Sequence, residues 1–334
     1  MPDTKQRGVR LTLGMIVVAA AISGCMTAAA PETNSLWAFP GSTPAPVGAP
    51  AVQPAPTLDP NEVVRIPDGA VTFKRAELRN AFAAPDWRPQ DHPVMPEIVA
   101  HGRRPDVRAC GYCHLPTGNG RPENARLSGL SAEYIVRQLR AYREGLRKSS
   151  AGKGPPALMM AIGKAMTDEE MASAAAYFSS LKPQSHLRIV ETDTAPKTVA
   201  EGTIYKKIAG GGDEPLGQRI IETPEDFEQF DLRDPATKFV AYVPKGSVAR
   251  GKRLAASWGG VTMACGNCHG RDLKGVGNVP GLAGKSPTFL VRQLYDFKAG
   301  ARRGADSAQM VPVVEHMSDA DMLAIAAYLA SLPS

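Results

Sequence analysis

The chain is poor in aromatic residues, which make up 6% of its 334 positions, and it holds only five cysteines and six histidines. No uninterrupted apolar run reaches the ~18 residues that a membrane-crossing helix needs, which excludes a multi-pass membrane protein. No Lys/Arg-rich run with interleaved aromatics occurs either, so the net charge of +6 is not the footprint of a nucleic-acid binder. Lys5, Arg7 and Arg10 against Asp3 supply part of that excess within the first 24 residues. Wholesale disorder is excluded in turn, because 43% hydrophobic and 22% charged residues is a globular composition. At ~100–200 residues per domain the length predicts two domains with an extra segment. Cores this short of aromatic bulk need another apolar filler.

What is present begins with an export address. Basic Lys5, Arg7 and Arg10 precede the apolar stretch Leu11 to Ile22 and the small residues Ser23 and Gly24. The tetrad Ile22-Ser23-Gly24-Cys25 resembles a bacterial lipobox, and that resemblance implies cleavage after residue 24 and lipidation of Cys25. A plain secretory signal with an incidental cysteine is the alternative. Eight of the 29 prolines then fall in residues 31–60, a tract that favours extended backbone over a core. Residues 25–60 read as a lipidated, proline-rich tether, able at ~3.1 Å per residue to hold a domain on the order of 100 Å from a membrane.

The other four cysteines form two pentads, Cys110-Gly111-Tyr112-Cys113-His114 and Cys265-Gly266-Asn267-Cys268-His269. C-x-x-C-H is the attachment signature of c-type haem: two thiols add to the two vinyl groups, and the adjacent histidine reaches the iron. A four-cysteine zinc site would leave both histidines without a role, and a redox dithiol is seldom duplicated. Two covalently bound haem c groups are expected on Cys110, Cys113, Cys265 and Cys268, with His114 and His269 as proximal ligands. They would supply the missing apolar bulk.

Both pentads sit in repeats. At the offset of 155 residues that separates Cys110 from Cys265, Val136-Arg137-Gln138-Leu139 matches Val291-Arg292-Gln293-Leu294, with Tyr142 over Phe297 and Gly145 over Gly300. Ile135, Leu139 and Tyr142 fall on one helical face, as do Leu290, Leu294 and Phe297. Further on the offset becomes 151, because the first repeat carries four extra residues, expected around Ser149 to Gly152. There Thr167 and Ser318 are placed as helix N-caps with an acid three residues later. Met171, Ala174, Phe178 and Leu181 form one apolar stripe behind the cap, and Met322, Ile325, Leu329 and Leu332 form the other.

Each repeat resembles a class I cytochrome c domain, and the tandem is similar to the diheme cytochromes of the c4 type. The resemblance covers about residues 96–182 and 247–334. It implies a mainly α fold of two haem domains, here 61–185 and 247–334, and a methionine as sixth iron ligand ahead of each terminal helix. Met159 and Met310, in register at the offset of 151, are the positions it selects. A proline that orients the proximal histidine is expected at Pro280, but Ala125 stands at its counterpart and Ala161 opposite Pro312. The first haem is therefore expected to be held differently.

Residues 186–246 lie outside the c4-like pattern. Arg219-Ile220-Ile221 and Phe239 to Val243 read as strands and Gly210-Gly211-Gly212 as a turn, giving a small β-containing insertion. Six acids between Glu222 and Asp234 suggest a solvated face or a docking surface. Residues 61–95 are expected to hold a helix from Phe73 to Phe82 and to pack on the first domain. His92, His101, His186 and His316 recur at no matching position and read as ordinary histidines. Arg126, Arg137, Arg140, Arg143, Arg147, Lys148, Lys153 and Lys164 suggest a basic face for steering an acidic partner.

The resulting expectation is a periplasmic diheme cytochrome c, held to the membrane by its lipid, that carries single electrons between redox protein partners and has no catalytic residues. A diheme peroxidase-type enzyme, or a fixed cytochrome subunit of a dehydrogenase or oxidase complex, is the alternative.

Overall fold

The computed structural model describes residues 1–2, 37–40, 58–152, 154–256 and 261–334. Cys25 and most of the proline-rich tract lie outside them.

Two helical domains and a β-containing insertion follow one another as expected. The first is built on the helices Cys110–His114, Ala132–Arg143, Pro155–Ala165 and Asp168–Ser180. The second repeats the plan with Gly266–His269, Pro287–Lys298 and Asp319–Ser331, and adds Ser247–Ala256. Thr167 and Ser318 each close a capping box, with Glu170 and Asp321 as the returning acids. Behind the caps Met171, Ala174 and Phe178 on one helix, and Met322, Ile325 and Leu329 on the other, are buried in their domain cores. Gly145 and Gly300 end the middle helices with φ of +69° and +64°, the left-handed turn that glycine adopts without strain. The stretch before each terminal helix is not a bare loop: it holds the helix Pro155–Ala165 in one repeat and a 3₁₀ turn, Ala305–Met310, in the other.

In the insertion Leu187–Glu191 pairs parallel with Phe239–Val243, which pairs antiparallel with Ile221–Pro224. Ala241, Val243 and Ile220 join the core of the second domain, so the sheet is part of that domain's packing. Its acidic run is consumed internally. Glu222 is buried and accepts from Ser286 and Thr288, Asp226 caps the short helix Phe227–Asp231, and Glu225, Glu228, Asp231 and Asp234 pair with Arg188, Arg75, Arg79 and Arg88. The run is thus tied into the fold by arginines and hydroxyl donors rather than left as a free row of charges.

Two further expectations are corrected. Phe73 to Phe82 is not a helix: Phe73–Lys74 pairs with Val63–Val64, and a single 3₁₀ turn covers Glu77–Arg79. Trp87 and Leu78 from this stretch pack on Leu232, and the Trp87 indole donates to the Leu232 carbonyl at 2.7 Å, so the segment braces the insertion as well as the first domain. Within the stretch read as a free tether, Ala38 and Phe39 are buried in the second domain's core. Tyr205 donates to the Trp37 carbonyl at 2.9 Å and Arg292 to that of Ala38 at 2.9 Å.

Candidate haem site

His114 and His269 each close the short helix that carries their pentad. The Nδ1 of His114 lies 2.8 Å from the Ala125 carbonyl, and that of His269 lies 2.7 Å from the Pro280 carbonyl. A backbone carbonyl only accepts, so each Nδ1 carries the proton and each Nε2 keeps its lone pair for a metal. Burial lowers the pKa of both rings and favours this neutral form. The expected difference between the repeats is not found here, because the orienting group is the backbone carbonyl and alanine presents it as proline does.

The four pentad cysteines are unpaired thiols. Burial pushes Cys110 up to about 12 and Cys265 up to about 11, and it raises Cys113 as well. A redox dithiol needs the opposite shift. The pentads belong to separate domains, and among the described residues no three His, Cys, Asp or Glu side chains converge as a metal site. The zinc alternative has no assembled geometry.

A continuous cavity of about 640 Å³ runs between the domains. Cys110 and His114 line it on one side, Cys265, Cys268 and His269 on the other, and both Met159 and Met310 face into it. A cleft of this volume with mainly apolar walls has the size and character of a ligand site. Its walls are apolar side chains from the helices described above, among them Leu139, Phe178, Leu294 and Ile325. Phe39 and Pro40 line it too, which no pattern in the sequence indicated. His92, His101, His186 and His316 do not reach it. Met160 does not reach it either.

The cavity's charge tests the fit of haem. Arg126, Arg147, Lys285 and Arg302 line it, and among the described residues none of them forms an ion pair with a carboxylate. Arg126 donates to the carbonyls of Ala283 and Gly284 and to Ser334, and Lys285 to the Arg126 carbonyl. Arg147 and Arg302 each donate to both Gln138 and Gln293, at 2.8 to 2.9 Å. One buried carboxylate, Asp296, acts on Arg147 and Arg302 through space, and four cations facing a single counter-ion are costly to bury. The Lys285 ammonium shows it, its pKa driven well down by burial and then by Arg126 and Arg147. A ligand that is apolar in its body and carries carboxylates at one edge answers both demands, and haem with its propionates is such a ligand. Arg126 and Arg147 are therefore not part of an exposed steering face. Arg137, Arg140 and Arg143 of the same series are spoken for by Asp306 and Asp168.

The cytochrome c family model matches residues 100–182 and 248–333, just over half of the chain. The chain belongs to the cytochrome c family. It carries two covalently bound haem c groups, one per repeat, and is a diheme electron carrier similar to cytochrome c4. The thiosulfate dehydrogenase electron acceptor of Thiomonas intermedia is 27% identical over 69% of this chain and 81% of its own. Cytochrome c4 of Azotobacter vinelandii is 26% identical over 67% of this chain and 84% of its own. Among solved structures, the thiosulfate dehydrogenase TsdBA of Marichromatium purpuratum aligns at 25% identity with a TM-score of 0.48, over 70% of this chain and 38% of that one. This cytochrome thus spans well under two thirds of that neighbour.

Proposed function

We propose that this cytochrome is a periplasmic, lipid-anchored shuttle that holds each haem between a histidine and a methionine: His114 with Met159, and His269 with Met310. Cys110 and Cys113 carry one haem, Cys265 and Cys268 the other. The single observation behind this reading is that both histidines present a free Nε2 toward a cavity that both methionines also line. Haem, when bound, takes up or gives up one electron without bond making. The chain holds the rings in orientation through the two carbonyls and excludes water with the apolar walls, and its buried cations would neutralise the propionates. A histidine and a methionine on the same iron would raise its reduction potential and would leave no open coordination position for a substrate. That favours a carrier over a peroxidase.

The name of the Thiomonas relative supports a dehydrogenase as the electron donor. The lipid on Cys25 would hold the shuttle beside membrane partners. A redox titration followed by visible spectra tests the reading: two low-spin haems per chain with methionine–ferric charge-transfer absorption are expected. A high-spin, five-coordinate fraction with peroxide-dependent turnover would replace the carrier by the enzyme.

A further inference from the structure

The exits from the two pentad helices differ. The helix Cys110–His114 leaves through Leu115 at φ +64° and ψ 151°, a backbone region open almost only to glycine. At the offset of 155 residues the second repeat has Gly270, which holds φ +84° and ψ 154° without that strain. The second repeat's own left-handed leucine, Leu273, lies four residues past its histidine, whereas Leu115 directly follows His114. Leu115 is buried, so the strain is stored beside the proximal ligand of the first haem.

A second left-handed residue comes to the same helix from the insertion. Arg233 has φ +62°, and for a bulky side chain that conformation persists only where the surroundings impose it. They do so on both sides. The Arg233 amide donates to the Phe230 carbonyl at 3.0 Å, Leu232 before it accepts from the Trp87 indole, and Asp234 after it accepts from Arg88 and Gln229. The result is a fixed place for the side chain. The Arg233 guanidinium lies 3.7 Å from the centre of the Tyr112 ring and donates to the Tyr112 carbonyl at 2.8 Å and to the Leu78 carbonyl at 3.3 Å. Tyr112 is buried between Cys110 and Cys113 in the pentad, and no charge acts on the Cys113 sulfur more strongly than that of Arg233. Asp231 and Asp234 are taken by Arg79 and Arg88, and among the described residues Arg233 pairs with no carboxylate. Asn267, the repeat mate of Tyr112, has no such clamp among the described residues.

We infer that Arg233 is a positioning residue for the first haem: the insertion 186–246 supplies a guanidinium that clamps the attachment helix Cys110–His114 against its strained exit and biases the first haem toward its reduced state. The inference rests on the diheme carrier reading above. Arg233 does not line the cavity, so it acts through the helix that carries both thiols and His114. A reduced haem carries one positive charge fewer than an oxidised one, and a cation without a paired carboxylate favours that state. Glycine at position 233 would relieve the local strain but lose every one of these contacts. Selection of arginine there follows from the side chain, not from the backbone.

Redox titration of the haem-loaded protein tests this with Arg233→Gly, Arg233→Gln and Arg233→Lys. Arg233→Gly and Arg233→Gln are expected to lower the equilibrium constant for reducing one haem about fivefold, in the wave that Met159→Ala also displaces, with the other wave unmoved. Arg233→Lys keeps the charge and is expected to stay within about twofold of the parent in that wave. Arg233→Gly is also expected to shift one of the two low-spin ferric signals in electron paramagnetic resonance, because the imidazole of His114 loses its hold. Arg75→Gln opens the ion pairs to Glu62 and Glu228 on the same brace and is expected to move neither wave. Unmoved waves in Arg233→Gln, a loss as large in Arg233→Lys as in Arg233→Gln, an equal shift in Arg75→Gln, or unchanged ferric signals in Arg233→Gly would overturn the inference. Should Arg233→Gly lose the first haem, Arg233→Gln and Arg233→Lys decide alone. Haem quantitation and the charge-transfer absorption of the parent separate this from failure of the underlying reading, since a parent without two low-spin haems fails there before any variant is compared.

Discussion

Met159 and Met160 stand side by side in the helix Pro155–Ala165, and only the first faces the cavity. Neighbours on a helix point about 100° apart, so one of them at most can serve the iron. Met159→Ala is expected to remove about half of the methionine–ferric absorption and to lower one of the two potentials, while Met160→Ala leaves both in place; the reverse result would move the ligand by one residue. Register between the repeats singled out Met159, and the structure places it in the cavity lining. Lys285 had no such signal, because its neighbours Arg126 and Arg147 come from the other repeat and no local pattern links them. A cation beside the haems favours the reduced state, which carries one positive charge fewer. Lys285→Met is therefore expected to lower at least one potential, on the order of 50 mV, in a spectroelectrochemical titration. An unchanged potential would mean that Lys285 does not face the propionates.

Helices were read correctly where a cap and an apolar stripe agreed, as in Asp168–Ser180 and Asp319–Ser331, because both signals are local to the element. Phe73 to Phe82 misled because its apolar residues answer to other elements. Phe73 packs edge-on against Trp87 at 4.6 Å, and Leu78 packs toward Leu232 of the insertion. Tertiary contacts overrode the local preference. The helix Ser247–Ala256 carries a constraint that the sequence gives no reason to expect. Gly251 lies against the backbone of the terminal helix, where a Cβ would collide with the Ala324 carbonyl and crowd Tyr328. Alanine is the better helix former, so propensity alone predicts stabilisation by Gly251→Ala. The packing predicts the opposite, a loss of about 1–3 kcal/mol from forcing the helices apart. Chemical denaturation of the haem-loaded protein decides the sign.

At the scale of the whole molecule the domains face each other across a two-fold-like bridge, and this is where the basic series was misread: as a row of charges it suggested a surface, but the repeat symmetry turns its key members inward. Gln138 and Gln293 are repeat mates, as are Arg147 and Arg302, and the four close a ring in which each arginine donates to both glutamines. The backbone on either side of the arginines pairs as well, as one antiparallel bridge, Lys148 donating to the Ala301 carbonyl and Arg303 to that of Leu146, at 2.9 and 2.8 Å. Phe39 lines the same cavity from a segment that begins twelve residues beyond Cys25, so a chain anchored there would have a reach of about 40 Å at most, far less than an unpinned tether allows. Cys25→Ser is expected to release the protein, still haem-loaded, from the membrane fraction, and continued membrane association of that variant would count against the lipid. The bridge itself is tested by Arg302→Leu. The substitution keeps apolar bulk but strips one donor from each glutamine, and a buried acceptor left short costs about 1–3 kcal/mol. The two domains share the cavity, the ring and the docked Trp37–Pro40 segment, so the parent is expected to unfold in one calorimetric transition. With the ring opened, Arg302→Leu is expected to separate the two domains into successive transitions, and a single transition merely shifted to lower temperature would show that the shared cavity, not the ring, couples them.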